Sequence, residues 1–156
     1  MNKNALIFVA GHNGLVGSAI VRKLEDVGYT NIVTKNRSEL DLMDQMQVRK
    51  FFKTQRPQYV INAAAKVGGI KANMTFPAEF LYENLQIQNN LIWSSKESGV
   101  QKFLFLGSSC IYPRECQQPM KEEYFMQGKP EVTNEAYAYA KISGMKLCEF
   151  IHDELD

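Results

Sequence analysis

A chain of 156 residues with 18 Lys and Arg against 17 Asp and Glu carries a formal net charge of +1, which points to neither nucleic acid nor an anionic membrane as a partner. Hydrophobic residues at 45% and charged residues at 22% describe one globular domain with a real core, and no apolar run approaches the roughly 18–20 residues of a membrane span. The three cysteines, Cys110, Cys116 and Cys148, form no CxxC pair, so neither a disulfide framework nor a metal site is expected, and the cytoplasm is the expected compartment.

The N-terminal apolar run Ala5–Ala10 does not read as a signal peptide, because it flows directly into Gly11-His12-Asn13-Gly14-Leu15-Val16-Gly17. Strand, glycine turn and helix in that order form a grip for a dinucleotide. The first Gly permits the tight turn, the second admits the pyrophosphate, and the third lets helix and strand approach. The spacing is GxxGxxG and not GxGxxG, so taken alone it also suits a glycine turn with no ligand. Val16, Ile20, Leu24 and Val27 recur at helical spacing, and Gly28 supplies a stop. Asn31–Thr34 reads as a second strand. An acid about 20 positions beyond the last glycine would hold a ribose 2′-hydroxyl, whereas an arginine there accommodates a 2′-phosphate. The segment is Lys35-Asn36-Arg37-Ser38, with no carboxylate until Glu39, which favours NADP(H) over a merely solvated basic loop.

Leu40-Asp41-Leu42 predicts a short third strand, and Asp44 a cap for a helix whose inner face carries Val48, Phe51 and Phe52. Tyr59–Ala65, ending in Ala63-Ala64-Ala65, is apolar enough for a strand buried on both faces of a parallel sheet. Lys66–Ile70 reads as a flexible turn at the carboxyl edge, where ligands bind in open α/β sheets. A helical pattern runs from about Ala78 to Glu97. Lys102–Leu106 predicts a fifth strand ending in Gly107-Ser108-Ser109-Cys110, and a last helix spans about Glu135 to Asp153. Strands alternating with helices predict an α/β fold, a doubly wound parallel sheet of five strands in the order 3-2-1-4-5, with residues 1–156 as one Rossmann domain.

Tyr137 and Lys141 are one helical turn apart on one face. A phenol near pKa 10 is a poor proton donor at neutral pH, and a nearby ammonium lowers that value. Ser108 could donate to the same carbonyl oxygen. YxxxK alone is frequent by chance, and it gains weight from the glycine turn and from the Ser-Ser strand end roughly 30 residues before it.

With these features the chain resembles the extended short-chain dehydrogenase/reductase family, and within it the NADPH-dependent epimerase-reductases acting on GDP-4-keto-6-deoxy-mannose. The residues carrying the resemblance are Gly11–Ile20, Ala63–Ile70, Leu106–Pro113, Pro119-Met120, Thr133–Tyr137 and Ala140-Lys141. The resemblance implies that Tyr137 is the catalytic acid, that Lys141 tunes it and binds the nicotinamide ribose, and that Ser108 polarises the C4 carbonyl. Cys110 would be the base for epimerisation at C3 and C5; without the resemblance the favoured reading is a small apolar residue beneath a strand end. The cofactor-binding set would comprise Gly11 to Gly17, Arg37, Ser38, Glu39, Leu40, Asp41, Leu42, Ala63, Ala64, Ala65, Leu106, Gly107, Ser108, Ser109, Tyr137 and Lys141. The family usually has arginine at position 13; with Asn13 here, the NADP(H) expectation rests on Arg37.

The resemblance further implies a chain about twice this length, whose later part adds strands, a GDP-sugar domain and a histidine acid. This sequence would then be the cofactor half, truncated before the last strands and inactive alone. His12 lies in the glycine turn, and His152 is about 22 Å along the helix from Tyr137 at 1.5 Å per residue, so neither replaces that acid. A homodimer through the helices near 78–97 and 135–153 is also implied, with Phe80, Ile87, Leu91, Ile142, Leu147, Phe150 and Ile151 supplying apolar surface. Another nucleotide-sugar epimerase or reductase of the family, or a non-catalytic NADP-binding module, would share most of these features.

Overall fold

The computed structural model describes residues 2–155, which form two compact units. The first comprises the residues up to Ala65 together with Gln86–Leu106, and it contains the whole sheet. Four parallel strands, β1 (Ile7–Ala10), β2 (Ile32–Val33), β3 (Tyr59–Asn62) and β4 (Lys102–Phe105), lie in the order β2-β1-β3-β4. Ile7 is level with both Ile32 and Tyr59, and Tyr59 with Lys102.

Alternation along the strands separates two cores. Ile7, Val9 and Ile61 meet Leu24 of α1 (Leu15–Asp26), with Ile20 and Val21 packed beside them. On the opposite face Phe8, Ala10 and Val60 meet Val48, Phe51 and Phe52 of α2 (Gln45–Gln55) and Leu91 of α4 (Pro77–Glu97). Phe8 lies 4.6 Å from Phe51 and 6.1 Å from Phe52, centroid to centroid, so three rings interlock where β1 crosses α2. Burying each such side chain contributes about 1.5–3 kcal/mol. Helices on both faces make the sheet doubly wound, as the alternating pattern predicts.

The third predicted strand does not form. Leu40 is buried and Leu42 packs on the same cluster, so their apolar spacing is satisfied by the core without a ladder. The backbone turns instead: the Glu39 and Leu40 amides both donate to the Asn36 carbonyl, and the Met43 amide donates to the Asp41 carboxylate. Asn90 of α4 donates to the Leu42 carbonyl at 2.8 Å. With its polar groups so occupied the segment has nothing to offer an edge, and the observed order is the predicted one with that strand removed. β3 also stops at Asn62, three residues short of the predicted end.

Helix boundaries follow local chemistry. Asp44 accepts the Met46 and Gln47 amides at the start of α2. At the end of α1 the Gly28 amide donates to Glu25 and the Tyr29 amide to Leu24, a Schellman closure that needs the φ of +85° at Gly28. Two members of the predicted α1 stripe are exposed, Val16 in the first turn and Val27 at the C-cap, because only the middle of the helix lies over β1.

The second unit comprises Lys66–Leu85 and the residues from Gly107 onward. It holds α3 (Ile70–Thr75), the first part of α4, 3-10 turns at Ser109–Ile111, Glu122–Tyr124 and Val132–Asn134, and α5 (Glu135–Leu155). The segment expected to be a flexible turn leads straight into α3, where Asn73 donates to the Gly68 and Gly69 carbonyls. Of the residues expected to supply apolar surface on the long helices, Phe80 and Leu91 are buried within the chain. The exposed aromatics on these two helices, among the described residues, are Tyr82 and Trp93 on α4 and Tyr139 and Phe150 on α5. No helix among the described residues is long and apolar enough to cross a membrane.

Candidate active site and cofactor cradle

In the first unit the glycine turn joins β1 to α1. Gly11 has φ +80°, and a Cβ there would lie 2.6 Å from the Ala63 carbonyl carbon and from the Ala64 nitrogen. A Cβ on Gly17 would lie 2.1 Å from the Gly11 carbonyl oxygen, and one on Gly14 3.3 Å from the same atom. The turn therefore closes on itself and on the end of β3 with backbone alone. Gly14 caps α1 without a side chain, so no side-chain oxygen takes the first-turn amides, in contrast to Asp44 on α2. His12 Nδ1 is buried within the turn with no hydrogen-bond partner among the described residues. Free amides, a positive helix end and a cradle a Cβ would fill fit the pyrophosphate of a dinucleotide.

The loop after β2 is tied to this turn. Asn13 Nδ2 donates to Asn36 Oδ1 at 2.7 Å. Glu39 folds back, so that one carboxylate oxygen accepts the Asn36 amide at 2.9 Å and the other meets Lys35 Nζ at 3.1 Å. Those bonds, the amide first and Lys35 second, hold the Glu39 carboxyl below its ordinary value. Arg37 and Ser38 are exposed. Leu40 faces the core, and the Asp41 carboxylate and the Leu42 carbonyl each accept a hydrogen bond in the turn described above. Ala63 and Ala64 lie beside Gly11; Ala64 donates to the Asn62 side chain, and Asn62 is itself buried.

The proton-transfer candidates belong to the second unit. Ser108 caps the short 3-10 turn, its Oγ accepting the Cys110 amide at 3.4 Å. Ser109 and Gly107 are exposed, and a Cβ on Gly107 would touch Met145 Sδ at 3.4 Å, an ordinary contact. Leu106 follows β4 at the end of the first unit. On α5 the Lys141 Nζ lies 5.7 Å from the centroid of the Tyr137 ring. Lys141 is 4% exposed, and burial holds its ammonium below the ordinary lysine value. Burial likewise pushes the Tyr137 phenol up, with Cys110 adding to it. Desolvation thus outweighs the lowering expected from Lys141. Cys110 acts electrostatically on both side chains, so Cys110, Tyr137 and Lys141 share one neighbourhood. Among the described residues no group of three acidic, His or Cys side chains could hold a metal ion.

Residues 7–155 match the model of the NAD dependent epimerase/dehydratase family. The chain belongs to this family. A putative GDP-L-fucose synthase 2 of Arabidopsis thaliana is 60% identical over 149 residues, covering 96% of this chain and 45% of the relative. The GDP-L-fucose synthase of Escherichia coli K12 is 53% identical over 143 residues, covering 92% of this chain and 44% of the relative. Among solved structures, a GDP-mannoheptose C4 reductase of Campylobacter jejuni with NADP bound superposes with a TM-score of 0.93 at 44% identity, over 96% of this chain and 44% of that one. The chain thus spans about 45% of the length of the curated relatives it matches.

Two polar residues of this epimerase/dehydratase chain escape a motif reading. Asn84, 2% exposed on α4, accepts the Lys66 amide at 2.9 Å and donates to the Lys66 and Phe80 carbonyls. Lys66 Nζ pairs with Glu79 at 2.9 Å and Glu83 at 2.5 Å, which raises its pKa, Glu83 first. The signal for Asn84 was an amide at a helix position spaced for burial. Asn36 is the other, a plain polar residue between two cations whose role appears only when Asn13 and Glu39 close on it.

Proposed function

We propose that the chain holds NADP(H) on the Gly11–Gly17 turn and carries the proton-transfer residues of a GDP-L-fucose synthase, which converts GDP-4-keto-6-deoxy-mannose to GDP-L-fucose. The observation that carries the reading is the clustering of Tyr137, Lys141 and Cys110, with Ser108 accepting the Cys110 amide, in a chain 60% identical to a relative of that name. NADPH, when bound, supplies the hydride for C4. Arg37 would meet its 2′-phosphate, and the amides at the start of α1 would meet its pyrophosphate.

Ser108 donates to the C4 carbonyl oxygen and draws electron density from the flanking carbons. Cys110 would take the proton from C3, lose it to solvent, and then take the proton from C5, and at each centre a proton delivered from solvent on the opposite face would invert the configuration. Tyr137 gives its O–H proton to the oxygen as C4 is reduced. The phenol is protonated at neutral pH, the form an acid needs, and the upward push of burial is a cost to donation that the charge of Lys141 would have to offset. Buried Lys141 holds positive charge beside the phenolate that remains. Self-association through the helices near 78–97 and 135–153 is supported, on each helix separately, by exposed aromatics: Tyr82 and Trp93 on α4, and Tyr139 and Phe150 on α5. Three free cysteines suit a cytoplasmic setting.

The test is NADPH consumption with GDP-4-keto-6-deoxy-mannose by a protein of the relatives' full length that carries this chain, followed by absorbance. Tyr137→Phe should lower turnover by about 10²–10⁴, the usual loss for a general acid, with NADPH affinity retained. Turnover within a few-fold of wild type would remove Tyr137 from the chemistry. A second reading, reduction at C4 without epimerisation, is favoured by the 44% identity to the C4 reductase.

A further inference from the structure

We propose that Glu39 is a specificity-determining residue: its carboxylate occupies the donors a 2′-phosphate would use, and so holds down the preference for NADP(H) over NAD(H). The inference rests on the reading that the glycine turn binds this cofactor. It follows from the loop geometry within the first unit.

Three cationic or donor groups cluster after β2: the Lys35 ammonium, the Asn36 amide and the Arg37 guanidinium. Glu39 takes two of them, the amide at 2.9 Å and the ammonium at 3.1 Å, while Arg37 is exposed and outside the pairing. Asn13 fixes the same residue from the glycine-turn side by its bond to the Asn36 side chain, so the loop does not simply swing clear. An acid is therefore present at the end of β2 after all, supplied by a residue further along that folds back. A phosphate arriving with nearly two negative charges must displace this carboxylate or sit beside it. An unphosphorylated ribose meets no such conflict, and a carboxylate can accept from its 2′-hydroxyl. Glu39 thus charges NADP(H) an entry cost that NAD(H) does not meet.

Glu39→Gln keeps the length and one acceptor for the Asn36 amide and removes the charge. Since Glu39 is a surface residue, the variant should fold as wild type does. NADPH and NADH are titrated into both proteins by quenching of intrinsic fluorescence. The substitution should tighten NADPH about three- to tenfold, the range of an exposed charge interaction with charge-assisted hydrogen bonds, and leave NADH within twofold. With 2′,5′-ADP and 5′-AMP as fragments the same asymmetry should appear. If wild type prefers NADPH and Glu39→Gln leaves the ratio unchanged or lowers it, the inference on Glu39 fails and the cofactor reading stands. If neither protein prefers NADPH or 2′,5′-ADP, the cofactor reading itself falls, and this inference with it.

Discussion

Gly17→Ala sets two physical effects of opposite sign against each other. Gly17 is buried in the first turns of α1, and at an ordinary helix position exchanging glycine for alanine stabilises by roughly 1 kcal/mol. Here the new methyl would sit 2.1 Å from the Gly11 carbonyl oxygen, 2.7 Å from the Gly11 carbonyl carbon and 3.0 Å from the His12 Cα. All three atoms are backbone, so no rotamer relieves the overlap, and the turn or the helix must move by about 1 Å. Overpacking of this kind costs about 1–3 kcal/mol where side chains can adjust, and more where only backbone can. The clash should therefore win, with a net loss of about 2 kcal/mol. In a chain of this size that corresponds to a fall of roughly 4–8 °C in Tm. Gly69→Ala is the control, since φ there is −69° and a Cβ would meet nothing within 4 Å; it should stay within about 0.5 kcal/mol of wild type. Urea and thermal unfolding of both variants, with NADPH titration alongside, decide the matter. Gly17→Ala as stable as wild type, with NADPH affinity intact, would refute the argument that the turn closes on backbone contacts.

Arg37→Ala should weaken NADPH about tenfold and NADH by less than twofold, because it removes a charge-assisted contact to a phosphate that only one cofactor carries; equal losses for both would contradict the assignment. Cys148, where burial pushes the thiol up to about 11, gives two readouts. A folded-state value above the unfolded one means stability is full below the unfolded value and lost as pH rises towards the folded one. The chain should therefore lose about 1–2 kcal/mol between pH 9 and 11, and Cys148→Ala should flatten that part of the profile. With Cys110 and Cys116 replaced by serine, labelling of Cys148 at pH 8 should be slow and should quicken about tenfold per pH unit. Fast labelling at pH 8 would show the thiol to be solvated.

The parts of the fold legible in the sequence were those governed by local chemistry. The glycine spacing, the Asp44 cap, the Gly28 stop and the α2 triad of Val48, Phe51 and Phe52 each follow from steric, hydrogen-bonding or periodic rules that act within a few residues. The expected third strand failed because Leu40 and Leu42 have strand-like spacing, yet the deciding bonds came from Asn36 before them and Asn90 far beyond. α3 escaped notice because it has only six residues and starts at Gly69, where glycine spacing suggests looseness. The pKa of Tyr137 shows the same limit: the four-residue spacing to Lys141 is readable, whereas the desolvation that dominates the phenol depends on everything packed around it. For Glu39 the sequence placed the acid too late in the loop to hold the ribose 2′-hydroxyl in the usual way, and a backward fold brought its carboxylate to the Asn36 amide.

The most direct test of the account is the incubation of a protein of the relatives' full length that carries this chain with GDP-4-keto-6-deoxy-mannose and NADPH in D2O, with the product examined by proton NMR. The account predicts GDP-L-fucose carrying one solvent deuteron at each of C3 and C5 and a hydride at C4 derived from NADPH, with both deuterons lost from the product of Cys110→Ser. A C4-reduced sugar with no deuterium at C3 or C5 would contradict it and make the protein a reductase alone.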